Sequence, residues 1–173
     1  MMHIPTIETA RLTLRPLQPE DAASLHRIYQ TEGVLQYFPN PIPPPLEKVE
    51  RFVSGQQQHW EKYGYGNWGI LPAGERDMIG WVGLQFLPEL NETEVGYLVE
   101  KRSWGKGYAT EAARASLQFG FDHFAFSQLI ALVHPENAAS RRVLEKCGMT
   151  YVETIHLWGI DLMHHCFKRT QTE

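Results

Sequence analysis

The sequence is poor in cysteine and has no long apolar run. Its 173 residues include two cysteines, Cys147 and Cys166, so one disulfide at most is available, and a chain of this length buries a core without one. The apolar runs stop well short of the roughly 20 residues that cross a bilayer. The start, Met1–Pro5, has neither the basic nor the apolar region of an export signal. We therefore expect a cytoplasmic protein, outside the membrane and folded as one domain over residues 1–173, with its core at about 11–167.

Clustered positive charge is also missing. The 16 lysines and arginines against 20 acidic residues give a net charge of −4, and no polybasic stripe is present, which argues against direct nucleic-acid binding. His164, His165 and Cys166 are adjacent, but they lack the paired spacing of a zinc site. Strand alternation would also send the two histidines to opposite faces. We expect no metal.

The periodicity of the remaining sequence predicts a mixed α/β fold. The order is strand, two helices, three-strand meander, helix, strand, helix and two strands, with a late strand–helix–strand crossover. A proline-rich loop, Phe38–Pro45, separates the first two helices and is either a plain connector or a lip of the substrate site. Predicted strands cover residues 11–15, 67–71, 78–86, 94–99, 129–133, 150–154 and 158–167; predicted helices begin near 19, 49, 109 and 138.

The most informative segment is a strand that leads through a glycine-rich loop into a helix. Gly105 and Gly107 let the backbone approach a ligand, and the amides of the loop and first helical turn form an anion site that fits a pyrophosphate. A Walker A run is absent, and the third glycine of a dinucleotide fingerprint is replaced by Thr110. These absences argue against a nucleotide-dependent kinase or a dehydrogenase.

The run from Arg102 to Gly107, Arg-Ser-Trp-Gly-Lys-Gly, resembles the Arg/Gln-x-x-Gly-x-Gly/Ala signature of the GCN5-related N-acetyltransferase (GNAT) superfamily. Three segments, 94–98, 104–112 and 135–149, more narrowly resemble the Rim-type branch of ribosomal-protein-alanine acetyltransferases. The resemblance implies the GNAT fold: a central, mostly antiparallel sheet flanked by helices, in which two parallel strands splay apart. It also implies acetyl-CoA as cosubstrate, no metal, and transfer of an acetyl group to a primary amine.

By this resemblance, each motif position receives a role. Glu94 would be the general base and Ser140 a hydrogen-bond donor to the leaving thiolate, while Asn137 would bind the pantetheine arm and also cap its helix. The family's usual tyrosine is missing from the helix that contains Ser140. The expected coenzyme A-binding residues are Tyr97, Leu98 and Val99 through their backbone, with Arg102, Gly105, Lys106, Gly107, Tyr108, Ala109, Thr110, Asn137 and Ser140.

Several alternatives stay open at this point. Glu92 lies on the same strand face as Glu94 and competes with it, and His26, Glu32 and His134 are further titratable candidates. Cys147 precedes a predicted C-cap glycine without a base partner, which favours direct transfer in a ternary complex over an acyl-cysteine. A non-catalytic acyl-CoA-binding sensor or scaffold is the alternative function. The acceptor (a protein N-terminus or a small-molecule amine) and the state, monomer or homodimer, are not specified by any motif.

Overall fold

The computed structural model describes residues 3–169, which form eight strands and four α-helices. A short 3₁₀ turn lies at Lys101–Ser103, directly after the fifth strand. In chain order the elements are β1 (Ile7–Glu8), β2 (Leu12–Pro16), α1 (Asp21–Tyr29), α2 (Leu46–Tyr63), β3 (Asn67–Pro72), β4 (Gly80–Leu87), β5 (Glu92–Val99), α3 (Tyr108–His123), β6 (Gln128–Val133), α4 (Ala138–Lys146), β7 (Thr150–Leu157) and β8 (Ile160–Lys168).

The strands form one sheet in the order β1-β2-β3-β4-β5-β6-β8-β7. All neighbours are antiparallel except β5 and β6, which are parallel and pair only between Glu94 and Ile130. Since β5 continues to Val99 and β6 to Val133, the two strands part beyond that pair. Parallel strands end at the same edge of a sheet, so α3 after β5 and α4 after β6 begin beside the opening between the strands.

Local signals fix the ends of the helices near this opening. Gly107, in the left-handed region at φ 80°, precedes α3, and Asn137 caps α4 by accepting a hydrogen bond from the Ser140 amide at 3.1 Å. Gly148, at φ 81°, ends α4 in a Schellman arrangement, with the Met149 amide donating to the Leu144 carbonyl at 3.0 Å. Across residues 3–169, no helix combines the length and apolar character needed to span a bilayer.

Strand alternation divides β5 between two apolar clusters. Val95 and Val99 belong to the main core, together with residues of α3 and α4. Leu98 instead packs with Ile28 of α1 and with Val34 in the segment after it. The two faces of β5 therefore meet different helices, with α3 and α4 on one side and α1 with its following segment on the other.

The mixed α/β fold with a parallel splay in a mostly antiparallel sheet is confirmed, with corrections at element ends. The two-residue strand β1 was not predicted, because it is too short to show a period. Strand β4 begins at Gly80 rather than at residue 78. Trp158, predicted as a strand residue, lies instead at the β7–β8 turn, where it and Gly159 both have positive φ, 54° and 82°.

Candidate active site

A cleft of about 620 Å³ opens where β5 and β6 part. Its walls are formed by the second half of β5, the loop into α3, the end of β6 and the start of α4. The segment between α1 and α2 and the β7–β8 turn complete the lining of the cleft. The backbone of β5 beyond Glu94 keeps its pairing with β4 but has none with β6, so its other edge is available to a ligand.

The glycine-rich loop forms the entrance wall beside α3. Gly105 and Gly107 both adopt left-handed conformations, φ 74° and 80°, and nothing lies within 4 Å of the position that a Cβ at Gly105 would take. Because glycine has no side chain to cap α3, the first amides of that helix have no local acceptor. Tyr108, Ala109 and Thr110 line the cleft with the two glycines, which makes an anion cradle at the positive end of a helix dipole.

Two predicted binding residues of this loop do not line the cleft. The Arg102 guanidinium donates to Glu100 at 2.7 Å and is 74% exposed. The Lys106 carbonyl points to Arg11 and accepts a hydrogen bond from it at 2.8 Å. Neither residue is part of the cleft wall, and their contact with coenzyme A stays a prediction.

Glu94 lies in the cleft where β5 and β6 part. Burial, followed by the charge of Glu89, raises the pKa of its carboxyl to about 7. A Cβ added at Gly96 would lie 3.4 Å from the Trp81 ring and 4.0 Å from the Glu94 carboxylate, so these two side chains flank Gly96. The competing Glu92 accepts a hydrogen bond from Gln128 at 2.6 Å and is not part of the cleft wall. The geometry therefore favours Glu94 over Glu92 as the titrating group.

On the opposite face of β5, Tyr97 reaches the first turn of α4. Its hydroxyl lies 2.6 Å from Ser140 Oγ and 3.3 Å from the Ser140 carbonyl. Burial raises the pKa of Tyr97 well above its usual value, so the phenol stays protonated. Sequence reasoning assigned only the Tyr97 backbone a role. The alternation that places Val95 and Val99 on the α3 face also places Tyr97 there and could have indicated this contact.

The far end of the cleft is lined by side chains from distant segments. Tyr37, between α1 and α2, stacks on His134 at the end of β6, with ring centroids 5.3 Å apart. Trp158, at the β7–β8 turn, donates from its indole to Glu89 at 3.1 Å. The cleft contacts of the segment after α1 run from Gly33 to Pro39. The connector interpretation therefore holds only for the part of the proline-rich loop beyond Pro39.

The family model described as "Acetyltransferase (GNAT) domain" matches residues 11–150. The chain belongs to the GNAT acetyltransferase family. It is 34% identical over 154 residues to the YkkB protein of Bacillus subtilis, covering 87% of this chain and 88% of that one. It is 30% identical to FsC-acetyl coenzyme A-N(2)-transacetylase of Aspergillus fumigatus, covering 87% and 67%. An acetyltransferase from Agrobacterium tumefaciens has a similar structure, with a TM-score of 0.82, 26% identity and coverages of 98% and 97%.

GNAT acetyltransferases use acetyl-CoA, and the residues present fit this cosubstrate. The space beside Gly105 is open, and both glycines have a left-handed backbone that residues with a side chain rarely adopt. The cleft continues from the cradle along the unpaired edge of β5 to Glu94. Among residues 3–169, no group of three or more His, Cys, Asp or Glu residues is placed to hold a metal ion.

The remaining sequence candidates of this GNAT acetyltransferase occupy different places. His134 lines the cleft, whereas His26 contacts Gln30 and Glu32 contacts Lys101 through its carbonyl, both outside it. Cys147 is buried behind α3, with its sulfur 3.7 Å from the Thr110 carbonyl, and burial raises the pKa of its thiol to about 11. A neutral, buried thiol is a poor nucleophile.

Proposed function

We propose that this GNAT acetyltransferase moves an acetyl group from acetyl-CoA directly to a primary amine held in the same cleft. The observation that carries this proposal is the shared cleft itself. The anion cradle of Gly105 and Gly107 lies in one wall, and a half-buried carboxylate with a pKa near 7, Glu94, lies where the strands part. A cofactor sensor would need the cradle but has no use for such a carboxylate.

The cradle amides, from Gly105 to Thr110, would hold the diphosphate of acetyl-CoA. The unpaired edge of β5 at Tyr97–Val99 and the Asn137 side chain would bind the pantetheine arm. When bound, acetyl-CoA supplies the acetyl group as an activated thioester. A main-chain N–H of β5, fixed in place by the pairing with β4, would stabilise negative charge on the acetyl oxygen.

Glu94 is the proposed general base. Amines that resemble lysine have pKa values near 10.4 and peptide N-termini near 8, so most of the acceptor arrives as an ammonium ion. A carboxylate that titrates near 7 is a better proton acceptor than one near 4.5, and it still ionises at neutral pH. Glu94 would therefore remove the proton directly or through one water molecule.

Ser140 and Tyr97 form the proposed donor pair for the leaving thiolate. A serine hydroxyl is a weak acid, so its role is to donate a hydrogen bond rather than to transfer a full proton. When the Tyr97 phenol donates to Ser140 Oγ across 2.6 Å, the serine proton is free to point into the cleft. The tyrosine that α4 lacks is in this way supplied by β5.

The acceptor is proposed to be a protein N-terminus or a small-molecule amine. The motif resemblance to the Rim-type branch supports the first, and the relative named as an N(2)-transacetylase supports the second. The aromatic walls formed by Tyr37 and Trp158 suit an amine with an apolar or ring-bearing neighbour group. A cytoplasmic location, a single domain and a monomeric or homodimeric state stay predictions.

The test is to follow thiol release from acetyl-CoA with a panel of N-terminal peptides and small amines. We expect amine-dependent release that Glu94→Gln slows by about a hundredfold or more while coenzyme A still binds, as measured by calorimetry. Turnover without coenzyme A binding is impossible in this scheme, so absence of binding heat would reject the cradle. Tight binding with no turnover on any amine would instead support the sensor function.

A further inference from the structure

We propose that Arg11, outside the cleft, is a positioning residue that fixes which way the Lys106–Gly107 peptide faces, and so keeps the anion cradle able to donate. This inference rests on the proposed function, because the cradle is taken to hold the diphosphate of coenzyme A. Arg11 lies just before β2, 95 positions away from Lys106.

Arg11 makes contacts on both sides of the start of α3. Its guanidinium donates to the Lys106 carbonyl at 2.8 Å and to the Glu111 carboxylate at 2.7 Å, and it stacks over the Tyr108 ring at 4.9 Å from the centroid. The Arg11 amide also donates to Glu111 at 2.8 Å. The residues before and after Gly107 are therefore tied to one side chain from a segment that is distant in sequence.

Because the peptide unit is planar, the contact with Arg11 also determines where the Gly107 N–H points. In a trans peptide, the carbonyl of one residue and the N–H of the next point in opposite directions. Arg11 binds the Lys106 carbonyl from outside, so the Gly107 N–H must point to the other side. Gly107 lines both the main cleft and a smaller hollow that contains Arg11, and thus forms the partition between them.

Without this anchor the peptide would be easy to turn over. Turning over the Lys106–Gly107 peptide changes ψ of Lys106 and φ of Gly107, and Gly107 tolerates either sign of φ, so the rotation meets little steric resistance on that side. A turned peptide would present the Lys106 carbonyl oxygen to the cradle, where it would repel a diphosphate. Arg11 prevents this by giving the carbonyl a charged partner on the outer side.

Arg11 also compensates the charge of Glu111. Burial alone would raise the pKa of this carboxyl, but hydrogen bonds from Thr9 and Arg11 lower it, so Glu111 is ionised in the first turn of α3. That charge suits the helix dipole yet opposes an anionic ligand close by. The ion pair with Arg11, at 2.7 Å, offsets the repulsion while keeping the stabilisation of the helix.

The experiment compares Arg11→Met with the parent protein, using coenzyme A and acetyl-pantetheine, which lacks the diphosphate. Calorimetry is expected to give a Kd for coenzyme A raised tenfold or more. The kcat/KM with acetyl-pantetheine is expected to change less than twofold, because that substrate does not use the cradle. Arg11→Lys keeps one donor and the charge, so its Kd for coenzyme A is expected to lie between those of the parent and Arg11→Met.

Arg15→Met is the matched control. Arg15 lies on β2 and pairs with Asp21 through both ends of its guanidinium, at 2.7 and 2.8 Å, but it does not contact the loop. Its loss is expected to lower Tm without raising the Kd for coenzyme A.

Equal losses with both substrates in Arg11→Met, or an unchanged Kd in a folded variant, would overturn the proposal. If Arg11→Met fails to fold, the same two measurements on Arg11→Lys, the Kd for coenzyme A and the kcat/KM with acetyl-pantetheine, decide the question. A parent protein that binds no coenzyme A would reject the proposed function itself.

Discussion

The two ends of the cleft are built from different parts of the polypeptide. The cradle end consists mainly of backbone from one continuous stretch, β5 through the first turn of α3. The proposed acceptor end consists of side chains from three separated segments, represented by Tyr37, His134 and Trp158. A backbone site of this kind recognises a ligand that is common to many enzymes, whereas a side-chain site assembled from loops is free to vary with the acceptor.

Mutations at the two ends should change different kinetic and binding constants. Changes at the cradle end should alter coenzyme A binding and leave the acceptor's KM unchanged, and changes at the acceptor end should do the reverse. Glu94 lies between the two ends and should affect the reaction without affecting either binding step.

The largest effect is expected for Glu94→Gln. Loss of a general base lowers kcat/KM by about a hundredfold to ten-thousandfold, and the Kd for coenzyme A should stay the same. In the parent, kcat/KM should fall as the pH drops through about 7, because a protonated Glu94 cannot accept a proton. Steady-state rates between pH 5.5 and 9 check both points.

Glu92→Gln provides the control for that measurement. Glu92 lies on the same strand and face as Glu94 but binds Gln128 rather than the cleft. Its rate should stay within about twofold of the parent, by the usual size of changes away from a site. A large loss in Glu92→Gln with a mild one in Glu94→Gln would exchange the two assignments.

Gly107→Ala should have the next largest effect, on coenzyme A affinity. Its φ of 80° is unfavourable for alanine, and the added Cβ would lie 3.3 Å from Arg11 Nη2. Restoring the binding conformation then costs about 1–3 kcal/mol, which raises the Kd between about tenfold and a hundredfold. Calorimetry measures the Kd, and the acceptor's KM should not change.

Gly105→Ala separates backbone strain from the contact with Arg11. Gly105 has nearly the same φ, 74°, but nothing lies within 4 Å of its added Cβ. We therefore expect a smaller loss of affinity than for Gly107→Ala. Equal losses would mean that Arg11 has no part in the effect.

Glu94 should also make stability depend on pH. Its pKa in the folded state, about 7, lies above the ordinary 4.5, so the unfolded chain ionises first. The contribution of protonated Glu94 to the stability of the fold is therefore fully present below about pH 4.5, and it is lost as the pH rises through 7. In urea unfolding, the free energy of unfolding of Glu94→Gln relative to that of the parent should increase by on the order of 2 kcal/mol from pH 5 to pH 8. A constant difference between the two proteins would show that Glu94 is not buried in the folded state.

The two ends also differ in how far the sequence predicts them. The Gly105–Gly107 pattern and the Asn137 cap specify backbone conformation locally, so the sequence predicts the loop before α3 and the start of α4. Arg11 acts through a contact across 95 positions, which no local pattern encodes. Strand alternation gives the face on which Tyr97 lies, but it does not give the partner 43 positions away. Trp158 has a high β propensity, but the Trp158–Gly159 pair forms the two-residue turn between β7 and β8.

Trp158→Asn should weaken the acceptor end while improving the fold. Asn-Gly is the preferred pair for a two-residue hairpin turn with positive φ at both positions, and the tryptophan is held at φ 54°. Stability should rise by up to about 1 kcal/mol, while the acceptor's KM rises about fivefold through loss of an aromatic wall. Thermal melts and rates at saturating acetyl-CoA measure the two effects. A Trp158→Phe variant that kept the parent's KM would show that the aromatic ring sets the acceptor's KM and that the hydrogen bond from the indole to Glu89 does not.

The smallest effect on the reaction is expected for Cys147→Ala. The thiol is buried behind α3 against the Thr110 carbonyl, with a raised pKa, so it neither ionises nor reaches the acetyl group. Stability should fall by about 1 kcal/mol, as for other small truncations of a core residue, while kcat stays within about twofold. Intact-mass measurement after mixing the parent with acetyl-CoA should reveal no acetylated enzyme. Loss of kcat in a folded Cys147→Ala variant, together with an acetylated parent, would replace direct transfer by an acyl-cysteine route and would move the chemistry from the acceptor end to the rear of the cradle.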